Sequence, residues 1–179
     1  MKDFLFTTGF PRSGNTYLNY SFRSLYYPEE NPRLNFHSVS SIEKYDHLFV
    51  PFRNPEDCIA SWHKYPSGGQ LQEDIKYYLR FYRAALENLD KITLMDFNKF
   101  TTSLEYIKDK VKGSLDLESV ANPTDSEIKL AMLDSGKTIN LPVNNKAELD
   151  IIKAQIAEMP SFQECLELYE SLKSVTDIA

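Results

Sequence analysis

Cysteine is scarce in this chain, positive charge is in the minority, and no long apolar run occurs. The two cysteines, Cys58 and Cys165, are far apart and fit no metal-ligand spacing, so a disulfide framework or a zinc site is not expected. They read as two free thiols of a reducing compartment. No segment is long and apolar enough to cross a bilayer. The chain enters its first apolar strand at once, without the pattern of a secretory leader. A cytoplasmic protein with no membrane partner is the expectation. Lys and Arg number 20 against 26 Asp and Glu, a net charge of −6. That balance argues against nucleic acid as the main partner. Any anion site must be a local basic pocket on an acidic body. Repeats and low-complexity tracts are also missing.

What is present suffices for a core. The 179 residues, 42% hydrophobic and 13% aromatic, read as one domain over 1–179. Most of the eleven tyrosines and eleven phenylalanines are expected in core and rim. Strands are predicted over 3–8, 33–37, 47–52 and 91–96, and helices over 15–27 and 55–64. Leu71, Ile75, Tyr78, Tyr82, Ala85 and Leu89 recur at helical spacing. The remainder reads mainly as helix. Thr124 to Glu127 and Ser161 to Glu164 have the form of capping boxes. Gly136 should end one helix, and Pro160 should separate the last two. Strand-helix alternation predicts an α/β fold: three layers, α/β/α, around a central, mostly parallel sheet, with a helical C-terminal part.

The chemistry concentrates in Gly9-Phe10-Pro11-Arg12-Ser13-Gly14-Asn15-Thr16-Tyr17. A strand, a Gly-flanked loop and a helix start form a phosphate cradle, because backbone N–H groups and the helix dipole converge on an anion. Gly9, Gly14 and Thr16 keep the spacing of the nucleotide-binding P-loop. Asn15 stands where that loop has lysine, and the cation sits inside the loop as Arg12. A second constellation starts at the end of the 47–52 strand. Asn54 is a good N-cap, Pro55 suits the first helical position, and Glu56 and Asp57 favour the positive helix end. These residues explain a helix start; they do not explain Arg53. The strand ends in Pro51-Phe52-Arg53, with no aspartate to hold magnesium, so no metal is expected.

Pro11-Arg12-Ser13-Gly14-Asn15-Thr16-Tyr17 resembles the phosphosulfate loop of sulfotransferases, and Arg53 to Ser61 resembles that family's 3′-phosphate motif with the same spacing. The resemblance covers residues 4 to about 100. It implies the donor 3′-phosphoadenosine 5′-phosphosulfate (PAPS), leaving as PAP. Arg12, Ser13, Gly14, Asn15 and Thr16 would hold the 5′-phosphate and sulfuryl group. Tyr17 would stack on adenine, and Arg53 and Ser61 would bind the 3′-phosphate. His37 falls in the slot of the family's catalytic histidine, with Asn35 in place of its lysine and Phe36 in place of a small residue. It is the expected general base, its alternative being a structural or surface histidine. Arg12 would assist catalysis. His47 and His63 are expected to be structural, as is Asp96. Lys137 is a candidate late cation in place of the family's missing C-terminal motif. The implied partner is a small-molecule, glycan or peptide hydroxyl acceptor, or an amine. Two other readings stay open: a P-loop small-molecule kinase, and an inactive nucleotide-binding scaffold.

Overall fold

The computed structural model describes residues 5–29, 37–65, 69–136 and 146–178. Two parallel strands form its centre, β1 (Leu48–Phe52) and β2 (Ile92–Asp96), with Leu48 opposite Ile92 and Phe52 opposite Asp96. β1 is buried along its whole length, as an unbroken apolar run demands of a strand covered on both faces. Two helices connect the strands, α3 (Pro55–His63) and α4 (Leu71–Leu86). Before them come α1 (Asn15–Tyr26) and the short α2 (Ser40–Lys44). After β2 the chain is helical: α5 (Phe97–Phe100), α6 (Leu104–Leu115), α7 (Asp125–Asp134), α8 (Lys146–Ala157) and α9 (Phe162–Ile178).

The period of two along each strand sorts the core into two layers. Leu48, Val50, Phe52, Ile92 and Leu94 face a cluster built with α3, α4, α8 and α9. Phe49 and Met95 face the opposite way, onto Leu18, Phe22 and Leu25 of α1 and Ile107 and Val111 of α6. Helices therefore cover both faces of a small parallel sheet, the α/β/α arrangement expected from the sequence. The sheet is smaller than expected.

The strand predicted over 3–8 is, in its described part, a single bridge of Thr7 to Phe49. The Phe49 N–H donates to the Phe6 carbonyl at 2.9 Å, and the Thr8 N–H donates to the Phe49 carbonyl at 3.2 Å. In a parallel ladder the next donor on that side of β1 lies two residues on. That residue is Pro51, which has no N–H. The ladder stops there and the chain is released into the glycine loop. The Pro51 carbonyl is taken instead by the buried Tyr82 hydroxyl, at 2.8 Å. Residues 33–36 of another predicted strand lie outside the described residues, and His37 belongs to no strand.

Helix ends follow their local chemistry. Thr124 and Glu127 form the predicted capping box of α7, and Gly136, at φ 72°, follows its end. The helix predicted to reach Leu89 ends at Leu86. The Asn88 side chain donates to the Ala84 carbonyl at 2.8 Å and turns the chain, leaving Leu89 exposed. Both cysteines are free and buried. Burial raises the pKa of both thiols, that of Cys165 to about 12.

Tyr82→Phe would leave the Pro51 carbonyl without its donor inside an apolar layer. We expect a loss of about 1–3 kcal/mol, read from the urea unfolding midpoint. An unchanged midpoint would show that the Pro51 carbonyl does not depend on Tyr82 for its donor.

Candidate functional site

The loop between the bridge and α1 is tied from inside. The Phe10 carbonyl accepts from the Ser13 N–H at 3.2 Å, the Ser13 hydroxyl at 2.6 Å and the Asn15 Nδ2 at 3.1 Å. Asn15 Nδ2 also meets Ser13 Oγ at 3.2 Å. Ser13 and Asn15 are both buried, so their side chains brace the loop; with the Ser13 N–H also engaged, it is the backbone N–H of Asn15 that can be offered to an anion. Asn15 Oδ1 is buried without a hydrogen-bond partner. A Cβ on Gly9 would stand 2.7 Å from it and 3.0 Å from both Pro51 Cγ and Ser13 Oγ, so crowding demands glycine there. Gly14 is needed for two reasons. Its φ is 97°, and a Cβ would come within 2.7 Å of Phe100 Cζ and 2.8 Å of Phe97 Cδ2.

Arg12 takes a positive φ too, 68°, which costs a non-glycine residue on the order of 1 kcal/mol. The N-terminus of α1 has no capping side chain and no acid in its first turn. Side chains of Asn54, Ser103 and Thr124 cap α3, α6 and α7. The positive end of α1 is thus presented by backbone alone, next to Arg12. Thr16 and Tyr17 lie in that first turn, both half-buried.

The two sequence motifs meet here. Arg12 Nε donates to Ser61 Oγ at 3.0 Å, and Arg53 Nη1 donates to the Arg12 carbonyl at 3.4 Å. Ser61 lies on α3, and Arg53 directly follows β1. The Arg12 guanidinium lies 5.4 Å from the Tyr65 ring centroid, and that of Arg53 lies 4.5 Å from Phe97's. Burial first, and the neighbouring charge of Arg53 after it, lower the Arg12 pKa, with Tyr65 opposing. Asp57 stands 3.8 Å from Arg53 and is also paired with Lys153 at 2.5 Å. Tyr78 of α4 donates its hydroxyl to the Arg53 carbonyl at 3.2 Å and fixes the strand end from below.

His37 is exposed, with its Nδ1 2.9 Å from the Gly9 carbonyl. A carbonyl can only accept, so Nδ1 carries the hydrogen and the neutral ring keeps its lone pair on Nε2. The Tyr77 hydroxyl donates to the His37 carbonyl. The imidazole is thereby pinned to the first glycine of the loop.

The remaining predicted residues fall elsewhere. Tyr17 stacks on Phe100 at 6.1 Å and donates to Asp125 Oδ1 at 2.7 Å; burial, then Asp125, raises its pKa. His47 precedes β1, at the strand end remote from the loop. Its Nε2 lies 2.9 Å from Thr93 Oγ1, and burial lowers its pKa. His63 Nδ1 pairs with the buried Asp74 at 2.9 Å, and Asp74 also accepts from the Gly69 N–H. Asp96 caps α5, accepting from the Asn98 N–H at 2.9 Å. Lys137 lies outside the described residues. Of the tyrosines of α4, Tyr78 and Tyr82 belong to the helical period read from the sequence, which marks them as core, and Tyr77 does not. Only the fold shows that the hydroxyls of all three hold the site's backbone. Among the described residues no group of three or more His, Cys, Asp or Glu side chains is placed to hold a metal, and no helix is long and apolar enough to cross a membrane.

Neither a protein-family model nor a curated protein matches the chain. Among solved structures it is similar to mouse sulfotransferase SULT7A1, determined in complex with PAP. The two share 13% identity at a TM-score of 0.45, over 99% of this chain and 86% of that one.

If the Arg12 backbone is strained, Arg12→Gly should be about 1 kcal/mol more stable than Arg12→Ala, because glycine accepts φ 68° and alanine does not. Equal unfolding midpoints for the two variants would contradict that strain.

Proposed function

We propose that this chain is a sulfotransferase that moves a sulfuryl group from PAPS to a hydroxyl or amine acceptor, with His37 as general base. The observation that carries the reading is the meeting of Arg12, Ser61 and Arg53 at the mouth of the glycine loop. Two guanidinium groups are held together there in a half-buried corner, at a desolvation and repulsion cost visible in the lowered Arg12 pKa. A multiply charged anion relieves both costs, so these residues fit a doubly phosphorylated nucleotide.

PAPS supplies the activated group: an acceptor oxygen–sulfur bond forms, the bond from sulfur to the 5′-phosphate oxygen breaks, and its electron pair leaves with PAP. The Nε2 of His37 takes the acceptor proton, its tautomer set by the Gly9 carbonyl. The backbone N–H groups of Gly14, Asn15 and Thr16 and the guanidinium of Arg12 would meet the 5′-phosphate and sulfuryl oxygens, where negative charge develops, while Ser13, with its N–H and hydroxyl both on the Phe10 carbonyl, braces the loop around them. With Nε engaged by Ser61, Arg12 would meet an oxyanion through its Nη end. Ser61 accepts from Arg12 and so keeps its own hydrogen to give to a 3′-phosphate oxygen, beside Arg53. Tyr17 would extend the stack that it makes with Phe100 onto adenine. Loop cation, loop amides and helix dipole stand where a P-loop kinase uses lysine and magnesium, so no metal is assigned. The acceptor is a small molecule or an exposed glycan or peptide group. The two free thiols favour action in the cytoplasm.

PAP in EDTA should raise the melting temperature by roughly 5–10 °C at about a hundred times its Kd, and ATP with magnesium should not. Arg53→Met should weaken PAP binding at least about tenfold. His37→Ala should keep PAP affinity while turnover with PAPS falls about 100- to 10,000-fold. A protein that ATP stabilises and PAP does not would end this reading, and full turnover by His37→Ala would remove His37 from it.

A further inference from the structure

The surface beside His37 is concave and carries a cation of its own. His37, Ser38, Val39, Tyr77 and Arg80 line a cavity of about 430 Å³. An adjoining cavity of about 520 Å³ shares Val39 and Arg80 and runs on along α4 past Leu79 and Ala84. Both volumes fall in the range of small-ligand sites.

Three cations and one carboxylate, Glu87, border this groove, and the circumstances of the cations differ. Lys76 is paired with Glu73 at 2.8 Å and Arg83 with Glu164 at 2.5 Å. Arg80 has no carboxylate partner among the described residues. Its guanidinium lies 5.5 Å from the centroid of the Tyr77 ring, and the Tyr77 hydroxyl bonds the His37 carbonyl. One side chain thus links the cation to the segment that carries the candidate base. On a chain of net charge −6, Arg80 is an exposed cation that faces a concavity beside His37.

We propose that the acceptor carries an anionic group in addition to its reacting hydroxyl, and that Arg80 selects for that group. This rests on the sulfotransferase reading, because it places the hydroxyl at His37 Nε2. The anionic group then reaches Arg80, and an apolar body lies on Val39, Leu79 and Ala84. A guanidinium binds carboxylate and sulfonate alike through paired N–H donors, so the shared chemistry is an oxyanion.

The test uses matched probes that differ only in charge: para-hydroxyphenylacetate with its amide, and para-hydroxybenzenesulfonate with its sulfonamide. Binding to the protein, alone and with PAP, is measured by isothermal titration at about 0.1 M salt, and turnover with PAPS is measured in parallel. The anionic member of at least one pair should bind about tenfold tighter, equivalent to ~1.4 kcal/mol, and be turned over preferentially. Arg80→Gln should bring that ratio to about one, and Arg80→Lys should restore part of it. A carboxylate preference without a sulfonate preference would identify the anion as a carboxylate, and the reverse result would identify a sulfonate-like group. Equal binding within both pairs, or a ratio unchanged in Arg80→Gln, overturns the proposal. If PAP still binds in that case, the acceptor assignment alone has failed. If PAP does not bind and no probe is turned over, the sulfotransferase reading has failed and this one with it.

Discussion

A hydrogen bond from Arg12 to Ser61 joins two segments that lie 49 residues apart, and the site depends on it. It aims the loop cation, draws α3 against the glycine loop, and brings Arg12 beside Arg53, whose own bond runs to the Arg12 carbonyl. Arg12 thereby carries the repulsion of the neighbouring Arg53 charge in addition to the cost of its own burial. Such crowding is unfavourable for the empty fold and favourable for a bound polyanion. The strained backbone at Arg12 fits the same pattern, since conformational strain that surrounding contacts enforce concentrates where a ligand is held.

The scaffold beneath is α4. Three of its tyrosines reach three backbone carbonyls: Tyr77 to His37, Tyr78 to Arg53 and Tyr82 to Pro51. Each ring helps fill a core layer while its hydroxyl fixes one edge of the site, so packing and positioning are done by the same residues. Pro51 adds the complementary step. By lacking an N–H it ends the ladder at the point where the chain must leave the sheet and enter the loop. The loop's shape is then set by close approach at Gly9 and by left-handed geometry at Arg12 and Gly14.

Much of this was legible in the sequence because the signals are local. An unbroken apolar run marked β1, helical spacing marked α4, and Thr124 with Glu127 marked the start of α7. Asn54 and Pro55 announced α3, and the side chain of Asn54 caps it through the Asp57 N–H. The loop stood out by glycine spacing, and Arg53 by having no part in a helix start. Long-range consequences were not legible. The reduction of the first strand to a bridge depends on which side of β1 lacks a donor. The inward turn of Ser13 and Asn15 depends on the Phe10 carbonyl. The tyrosine hydroxyl bonds and the groove at Arg80 depend on how α4 lies against the sheet. No single window of sequence contains these facts.

The central claim is that the loop and the Arg53–Ser61 segment grip one nucleotide between them. A crystal structure of the protein with PAP tests it most directly. The account predicts the 5′-phosphate against the backbone N–H groups of residues 14–16 and the 3′-phosphate within hydrogen-bond distance of both Arg53 and Ser61. PAP bound elsewhere, or a 3′-phosphate out of reach of Arg53, would contradict it.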